Sequence, residues 1–424
     1  MRVEKIEMDN LDKVIESLGR IVEHRKAHPT MKSEELYYDL LRQYFQRLRH
    51  VKEEGKYIVG YTVMIPVEIF YAMDIVPMQL EFSAGMVPAL LNKQQEYLST
   101  AAGYGLAPET CSGHRMLTAA VIQGALPRPD AIVWSNQVCD NTAKSGDALM
   151  ELYECPGFFL DRPYRYTEKE FQYFVRELRR LIEFLGDITG QKMDWDKLRE
   201  TVELSEKAIS LIREIKKLRN TIPAPMRNRC MMQQMMIEWY WGGRPEAIKF
   251  FQTVRDEIKE RVEKNESPAL QEQYRLLTLF LPPSYMMKTL DWMEREHGAM
   301  SVMEPYIFGW AEGEMDPNKP LESLTHKAFY RSLARQMHGP MADGIVRDAV
   351  EEAIDYKAEG AIYWAHIGCR QACATIRSTK DALMEKAGIP TLVIDCDIAD
   401  PSLTSEEEVR TKLEGFFEIL EGLK

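Results

Sequence analysis

The stretch LPRPDAIVWSNQVCDNTAKSGDALMELYECPGFFLD (126–161) decides the fold. LPRPD is turn-forming, and the apolar, β-branched run DAIVWSN (130–136) after it predicts a buried strand. A helical pattern from about Asn141 to Leu152 follows, and CPGFFLD (155–161) predicts another strand. A strand, a helix and a strand in that order pair in parallel, with the helix packed on a sheet face. Working outward, YIVGYTV (57–63) and VPMQLEF (76–82) read as strands, with the helical IPVEIFYAMD between them and a helical pattern over Ala89 to Ala102. Downstream, YRLLTLF (274–280), GAMSVMEP (298–305), GAIYWAH (360–366) and TLVIDCD (391–397) repeat the alternation. Helices are predicted from Ser284 to Glu296 and from Glu406 to Leu423. Residues 1–55 are helical by their apolar spacing, as is the charged stretch from Glu168 to about Val262. The chain thus reads as α/β, with N-terminal helices over 1–55, a first α/β domain over 56–165, a helical segment over 166–268 and a second α/β domain over 269–424. Within the helical segment the Met-rich RCMMQQMMIEWYWGG (229–243) reads as a turn. It is either adaptable core or a flexible apolar wall for a ligand or subunit.

The chain has 424 residues, 45% hydrophobic and 28% charged, which is globular composition. With 54 Lys and Arg against 66 Asp and Glu the net charge is -12, so neither nucleic acid nor an anionic membrane is the expected partner. The most apolar stretch, Tyr57 to Phe82, is broken by Glu68, Asp74, Glu81 and two prolines, and no membrane span is expected. The charged start MRVEKIEMDNLDKV shows no signal peptide, which points to a soluble, cytoplasmic protein. No G-x-x-x-x-G-K-[ST] and no Gly-rich dinucleotide fingerprint occurs, so nucleotide chemistry would have to come from another chain.

Seven cysteines are present: Cys111, Cys139, Cys155, Cys230, Cys369, Cys373 and Cys396. An odd number without a secretion signal is not a disulfide framework, and no CxxC pair suggests a zinc ribbon. Buried thiols acting as small hydrophobes are one reading of all seven. Three nonetheless share one kind of position. Cys139 follows the strand ending near Asn136, Cys369 follows the strand ending at His366, and Cys111 begins the helical run SGHRMLTAAVIQG. Each feeds a helix N-terminus, where backbone N–H groups favour thiolate. For Cys139 and Cys369 that place is the carboxyl edge of a parallel sheet, where ligands of such folds bind. Three thiolates on separate loops can hold a [4Fe–4S] cube and leave one iron open. Cys155 and Cys396 fall in strands and Cys230 in the helical segment, so these read as structural. Cys373, one helical turn from Cys369, reads as a neighbour of the cluster or a further ligand.

Four segments resemble a known family: VGYTVMIPVEIFYAMDIVPMQL (59–80), LAPETCSGHRM (106–116), LPRPDAIVWSNQVCDN (126–141) with its sequel CPGFFLDRPY, and IGCRQACATIRSTKDALMEKAGIPTLVIDCDIADPS (367–402). In this order they resemble a subunit of the 2-hydroxyacyl-CoA dehydratase and benzoyl-CoA reductase family. The resemblance implies two flavodoxin-like domains and one [4Fe–4S] cluster held by Cys111, Cys139 and Cys369. It also implies a related or identical second subunit, an acyl-CoA substrate, and a separate iron–sulfur ATPase activator that injects one low-potential electron. Dehydrating a 2-hydroxyacyl-CoA requires loss of a C3 proton too weakly acidic for a side-chain base. One electron on the thioester carbonyl gives a ketyl radical anion that expels the 2-hydroxyl and acidifies C3, and the electron then returns. Glu68, His114, Asp140 and His366 are candidate polar helpers, with His114 and His366 placed to hydrogen-bond a cluster sulfur. Arg227 and Arg229 are candidates for the CoA phosphates. Two other readings share the fold. One is an ATP-driven reductase of an aryl-CoA or small molecules, in its double-cubane form holding an [8Fe–9S] cluster and recruiting further thiols. The other is a non-catalytic partner subunit.

Overall fold

A computed structural model describes residues 8–308, 314–330, 332–339 and 341–424. An N-terminal hairpin of α1 (Met8–Ala27) and α2 (Lys32–His50) buries one apolar stripe from each helix, with Leu11, Val14 and Leu18 against Leu41, Phe45 and Leu48. A first sheet follows: β1 (Ile58–Tyr61), α3 (Val67–Ala72), β2 (Val76–Gln79), α4 (Leu80–Leu91), α5 (Gln94–Tyr104), α6 (Ser112–Ile122), β3 (Ala131–Ser135), α7 (Asp140–Tyr153) and β4 (Gly157–Leu160). Its strands are all parallel in the order β2-β1-β3-β4. Pro77 lies on the edge strand β2, where a missing N–H costs the sheet least.

The helical middle comprises α8 (Glu168–Thr189), α9 (Trp195–Arg219), α10 (Cys230–Trp241) and α11 (Pro245–Lys264). Leu178 and Leu181 of α8 and Leu198 and Val202 of α9 cover the face of the first sheet that presents Val59, Tyr61 and Val133. The second sheet contains β5 (Tyr274–Leu279), α12 (Met287–His297), β6 (Ala299–Met303), α13 (Pro305–Phe308), α14 (Pro320–Tyr330), α15 (Ser332–Met337), α16 (Met341–Asp355), β7 (Gly360–His366), α17 (Arg370–Ala374), α18 (Ile376–Ala382) and β8 (Thr391–Cys396). The closing helix α19 (Glu406–Gly422) follows. Its strands are again all parallel, in the order β6-β5-β7-β8. The second sheet thus repeats the topology of the first. Every residue of β1, β3 and β7 is buried, as strands covered on both faces require. One apolar cluster runs from Ile58 and Ile132 of the first sheet to Leu276 and Ile362 of the second.

Four local expectations change. VPMQLEF does not continue as a strand to Phe82, because the Gln79 side chain accepts the Phe82 N–H and caps α4. The helix expected over Ala89 to Ala102 is two helices, broken where Asn92 turns left-handed at φ 55°. The helix expected from Ser284 starts at Met287, after Pro282 and Pro283. The Met-rich turn is the buried helix α10, and Met231, Met235 and Met236 belong to the core. Among the described residues, no helix is long and apolar enough to cross a membrane.

Candidate active site

In sheets of this order, the loops after the strands flanking the reversal of direction splay apart and leave a crevice at the carboxyl edge. The reversal falls between β1 and β3 in the first sheet and between β5 and β7 in the second. Cys139 follows β3 and caps α7, while Cys369 follows β7 and caps α17. The two cysteines therefore hold corresponding places in the two sheets. Cys111 caps α6, which leads back into β3 and so starts from the same edge.

The two edges face and grip each other. A Cβ built on Gly368 would stand 2.5 Å from the Cys111 Cα and 2.7 Å from its nitrogen, so only glycine lets the Cys369 loop lie this close to Cys111. The Ser112 hydroxyl donates to Asp397, which also receives the Ala399 N–H at 2.9 Å and the Asp400 N–H at 3.0 Å. Arg115 meets Asp400 at 3.3 Å, both buried. At the exposed rim Arg370 pairs with Asp140 at 2.8 Å, so Asp140 ties the two cysteine loops together.

The thiols of Cys111, Cys139 and Cys369 lie within one another's electrostatic reach. Burial is the main influence on each and pushes all three up, Cys369 to about 12. Cys139 and Cys369 add to the rise at Cys111, and Cys139 and Cys373 add to that at Cys369. The N–H groups of Asn141 and Thr142 at Cys139, and of Ala372 and Gln371 at Cys369, act in the opposite direction without prevailing. At these helix starts the N–H groups do favour thiolate, as expected, while desolvation of the buried thiols acts more strongly the other way. Such a donor set suits an electropositive group that several buried sulfurs would face together. Among the described residues, no group of three or more His, Cys, Asp or Glu side chains is arranged to hold a metal ion. That arrangement differs from a cube, whose separate irons each take one thiolate.

The other candidates divide. His114 Nε2 lies 3.6 Å from the Cys139 Sγ, and its Nδ1 meets the Ser145 hydroxyl at 2.8 Å, so the ring is held against a thiol of the trio. His366 points away from it. Its Nε2–H donates to the Leu281 carbonyl at 2.6 Å, and its Nδ1 lies 3.5 Å from the Cys396 Sγ, so it attends Cys396 instead of Cys369. Cys373 is exposed and its thiol donates to the His366 carbonyl at 3.3 Å. Glu68 is fully buried, receiving Lys327 Nζ at 2.7 Å and the Ser205 hydroxyl at 2.6 Å, which gives it a structural ion pair. Arg227 is buried on Glu294 at 3.0 Å and Asp291 at 2.8 Å, and Arg229 meets Glu34 at 3.0 Å and Asp291 at 2.9 Å. Neither arginine is free for a phosphate in the way expected. Cys230 packs beside Met31, and Cys155 lies just ahead of β4 with Arg128 and Asp130 as its charged neighbours, away from the trio.

Two residues near the trio escaped the sequence reading. Tyr306, directly after β6, feels Cys369, Cys139 and Cys111 together, and its ring lies 4.9 Å from that of Phe280. The strand-edge rule that selected Cys139 would have found it. Glu81, in the first turn of α4, accepts the Val63 N–H at 3.3 Å and the Gln79 amide at 2.5 Å. Burial raises its carboxyl while His114 opposes the rise. Nothing in its sequence context marked it.

Comparison with known proteins agrees with this architecture. The family model described as 2-hydroxyglutaryl-CoA dehydratase, D-component, matches residues 62–420. The chain is 22% identical over 401 residues to the (R)-2-hydroxyisocaproyl-CoA dehydratase alpha subunit of Clostridioides difficile, covering 91% of this chain and 95% of that one. It is 23% identical over 325 residues to a benzoyl-CoA reductase subunit of Thauera aromatica, covering 70% and 71%. A third relative, the (R)-phenyllactyl-CoA dehydratase alpha subunit of Clostridium sporogenes, is 22% identical over 390 residues, covering 88% and 92%. With the match spanning both parallel sheets and all three converging cysteines, this chain belongs to the 2-hydroxyglutaryl-CoA dehydratase D-component family.

Proposed function

We propose that this chain is the cluster-bearing subunit of a 2-hydroxyacyl-CoA dehydratase, working with a related or identical second subunit and a separate iron–sulfur ATPase activator. The observation that carries the proposal is the convergence of Cys111, Cys139 and Cys369 from three helix starts on two facing sheet edges. These three thiols would hold a [4Fe–4S] cluster. When bound, such a cluster supplies one-electron transfer and an open iron that polarises an oxygen of the substrate.

The chain's own groups supply the rest. His114, fixed by Ser145, keeps a ring nitrogen against Cys139 and tunes that sulfur. Tyr306 and Phe280 lend aromatic surface that keeps water from a bound acyl group. Glu81, anchored through both oxygens, holds a proton-accepting carboxyl beside His114. Ser112, Arg115 and Gly368 fix the distance between the two halves of the site.

The test is the iron and acid-labile sulfide content of protein purified without oxygen, followed by serine substitution at each of the three cysteines. About four irons and four sulfides per chain, lost together in each variant, support the proposal. A metal-free protein that refuses reconstitution overturns it. The benzoyl-CoA reductase relative favours a second reading, an ATP-driven reductase of the same family. Product formed in proportion to electrons consumed would select it, whereas a dehydratase turns over without net electron uptake. For a double-cubane form, Cys155 and Cys230 are poorly placed as further ligands, since one lies by Arg128 and Asp130 and the other packs beside Met31.

A further inference from the structure

The two halves of the molecule share a strained turn. Met64, after β1, and Phe280, after β5, are buried and have φ of 68° and 62°. Among the described residues they are the apolar ones with left-handed backbone. Bulky side chains rarely adopt that conformation, and it persists only where the surrounding structure holds it. β1 and β5 occupy the same place in their sheets, each beside the strand, β3 or β7, that leads into a cysteine loop.

In each half one buried side chain reaches across the crevice to that turn. Gln137, two residues before Cys139, donates its amide N–H to the Met64 carbonyl at 3.1 Å. Its amide oxygen is buried without a hydrogen-bond partner among the described residues, a loss that an apolar side chain would avoid. His366, three residues before Cys369, donates from Nε2 at 2.6 Å to the carbonyl of Leu281, the residue after Phe280. A carbonyl only accepts, so Nε2 carries the ring proton, and burial disfavours a second one. The bare Nδ1 takes the Cys396 thiol at 3.5 Å, so Cys396 fixes both the tautomer and the orientation of the ring. The His366 carbonyl accepts the Cys369 N–H at 2.9 Å, which closes the cysteine loop directly on this residue. The second turn also faces the site. The Phe280 ring lies 4.9 Å from that of Tyr306 and 5.2 Å from that of Tyr363, whose hydroxyl donates at 2.7 Å to Ala372 of α17.

We propose that Gln137 and His366 are equivalent positioning residues, one in each half, which hold the Cys139 and Cys369 loops against the turns after β1 and β5. The assignment deepens the three-cysteine reading above and rests on it. The two loops come from different sheets, so each needs its own anchor to keep its thiol toward the other two. Cys396 serves the second anchor through His366.

The test is alkylation of the full chain, stripped of metal by a chelator, with the rate at each cysteine read by mass spectrometry. His366→Leu is expected to speed labelling of Cys369 about fivefold while Cys139 stays within about twofold of wild type, because one lost hydrogen bond eases local opening of one loop. Gln137→Leu is expected to do the reverse, speeding Cys139 about fivefold and sparing Cys369. His366→Gln restores a donor to the Leu281 carbonyl and is expected to return Cys369 to within about twofold of its wild-type rate. Cys396→Ala is a smaller change that keeps the test if His366→Leu does not fold. It is expected to speed Cys369 about twofold, and Cys396→Ser, which keeps a donor to Nδ1, to leave it unchanged. Labelling of all three cysteines that rises together in each variant overturns the proposal, since general loosening is then the cause. Unchanged rates at the paired cysteine, or a His366→Gln variant as fast as His366→Leu, overturn it too. The iron content of the wild type is a separate measurement, so the anchors can fail while the cluster reading stands.

Discussion

Gly368→Ala probes the join between the two halves of the site. The new methyl would lie 2.5 Å from the Cys111 Cα and 2.7 Å from its backbone nitrogen, against 3.4 Å or more for an ordinary contact. Both obstacles are backbone, so no side chain can swing aside, and the loops must separate by at least 3.4 minus 2.5, or 0.9 Å. Overpacking of this kind costs about 1–3 kcal/mol. A displacement of about 1 Å between reacting or ligating groups also costs roughly a hundredfold in rate. The expected variant is therefore folded but loosened, with a melting temperature lower by a few degrees, and, with the proposed cluster reconstituted, quicker to lose iron to a chelator. Thermal melts with and without reconstitution, alongside iron release to a chelator, measure both effects. If Gly368→Ala melts as the wild type does and keeps its iron equally long, the Cys369 loop does not rest on Cys111, and the geometry of the site is wrong.

Three further outcomes follow from the same structure. Burial alone would raise the Glu68 carboxyl, but Lys327 and Ser205 outweigh it and hold the group below its usual range. Its stabilisation is therefore complete above the unfolded carboxylate value of about 4.3 and fades as pH falls through the lowered folded value. Glu68→Gln should cost about 3 kcal/mol near pH 7 and flatten that acid-side decline in denaturant melts. Native alkylation of metal-free protein, followed by mass spectrometry, should label the exposed Cys373 first and the buried Cys230 and Cys396 last. Burial holds Cys230 at about 12, so raising pH to about 9 should not reverse the order. Gly146→Ala drives a methyl into the Trp134 indole, prising α7 from β3, and should destabilise by about 1–3 kcal/mol in denaturant melts.

What the sequence discloses is what short-range pattern encodes. DAIVWSN and GAIYWAH are apolar throughout because β3 and β7 are buried on both faces, so their strand character and their carboxyl ends were legible. Knowing those ends was enough to select Cys139 and Cys369. Contacts between distant segments were not legible. Nothing near Arg227 announces Glu294 or Asp291, and nothing near Glu68 announces Lys327, so both looked available for chemistry. His366 stands three residues from Cys369, yet strand pairing brings it beside Cys396 and Leu281. How deeply the thiols are buried was illegible for a related reason. A helix start can be read locally, whereas the depth at which it is buried depends on the opposite sheet.

The division of the trio between the halves also sets an order of assembly during synthesis. Cys111 and Cys139 stand on the first sheet, which is closed by residue 160, while Cys369 must wait for β7 and its neighbour β8, which ends at residue 396. Domains emerging from a ribosome fold from the N-terminus onward. Between residues 160 and 369 the nascent chain therefore offers two members of the trio without the third. A group needing all three would have its third ligand only after residue 396 has been made and β7 and β8 have paired, so its seating would follow the folding of both sheets.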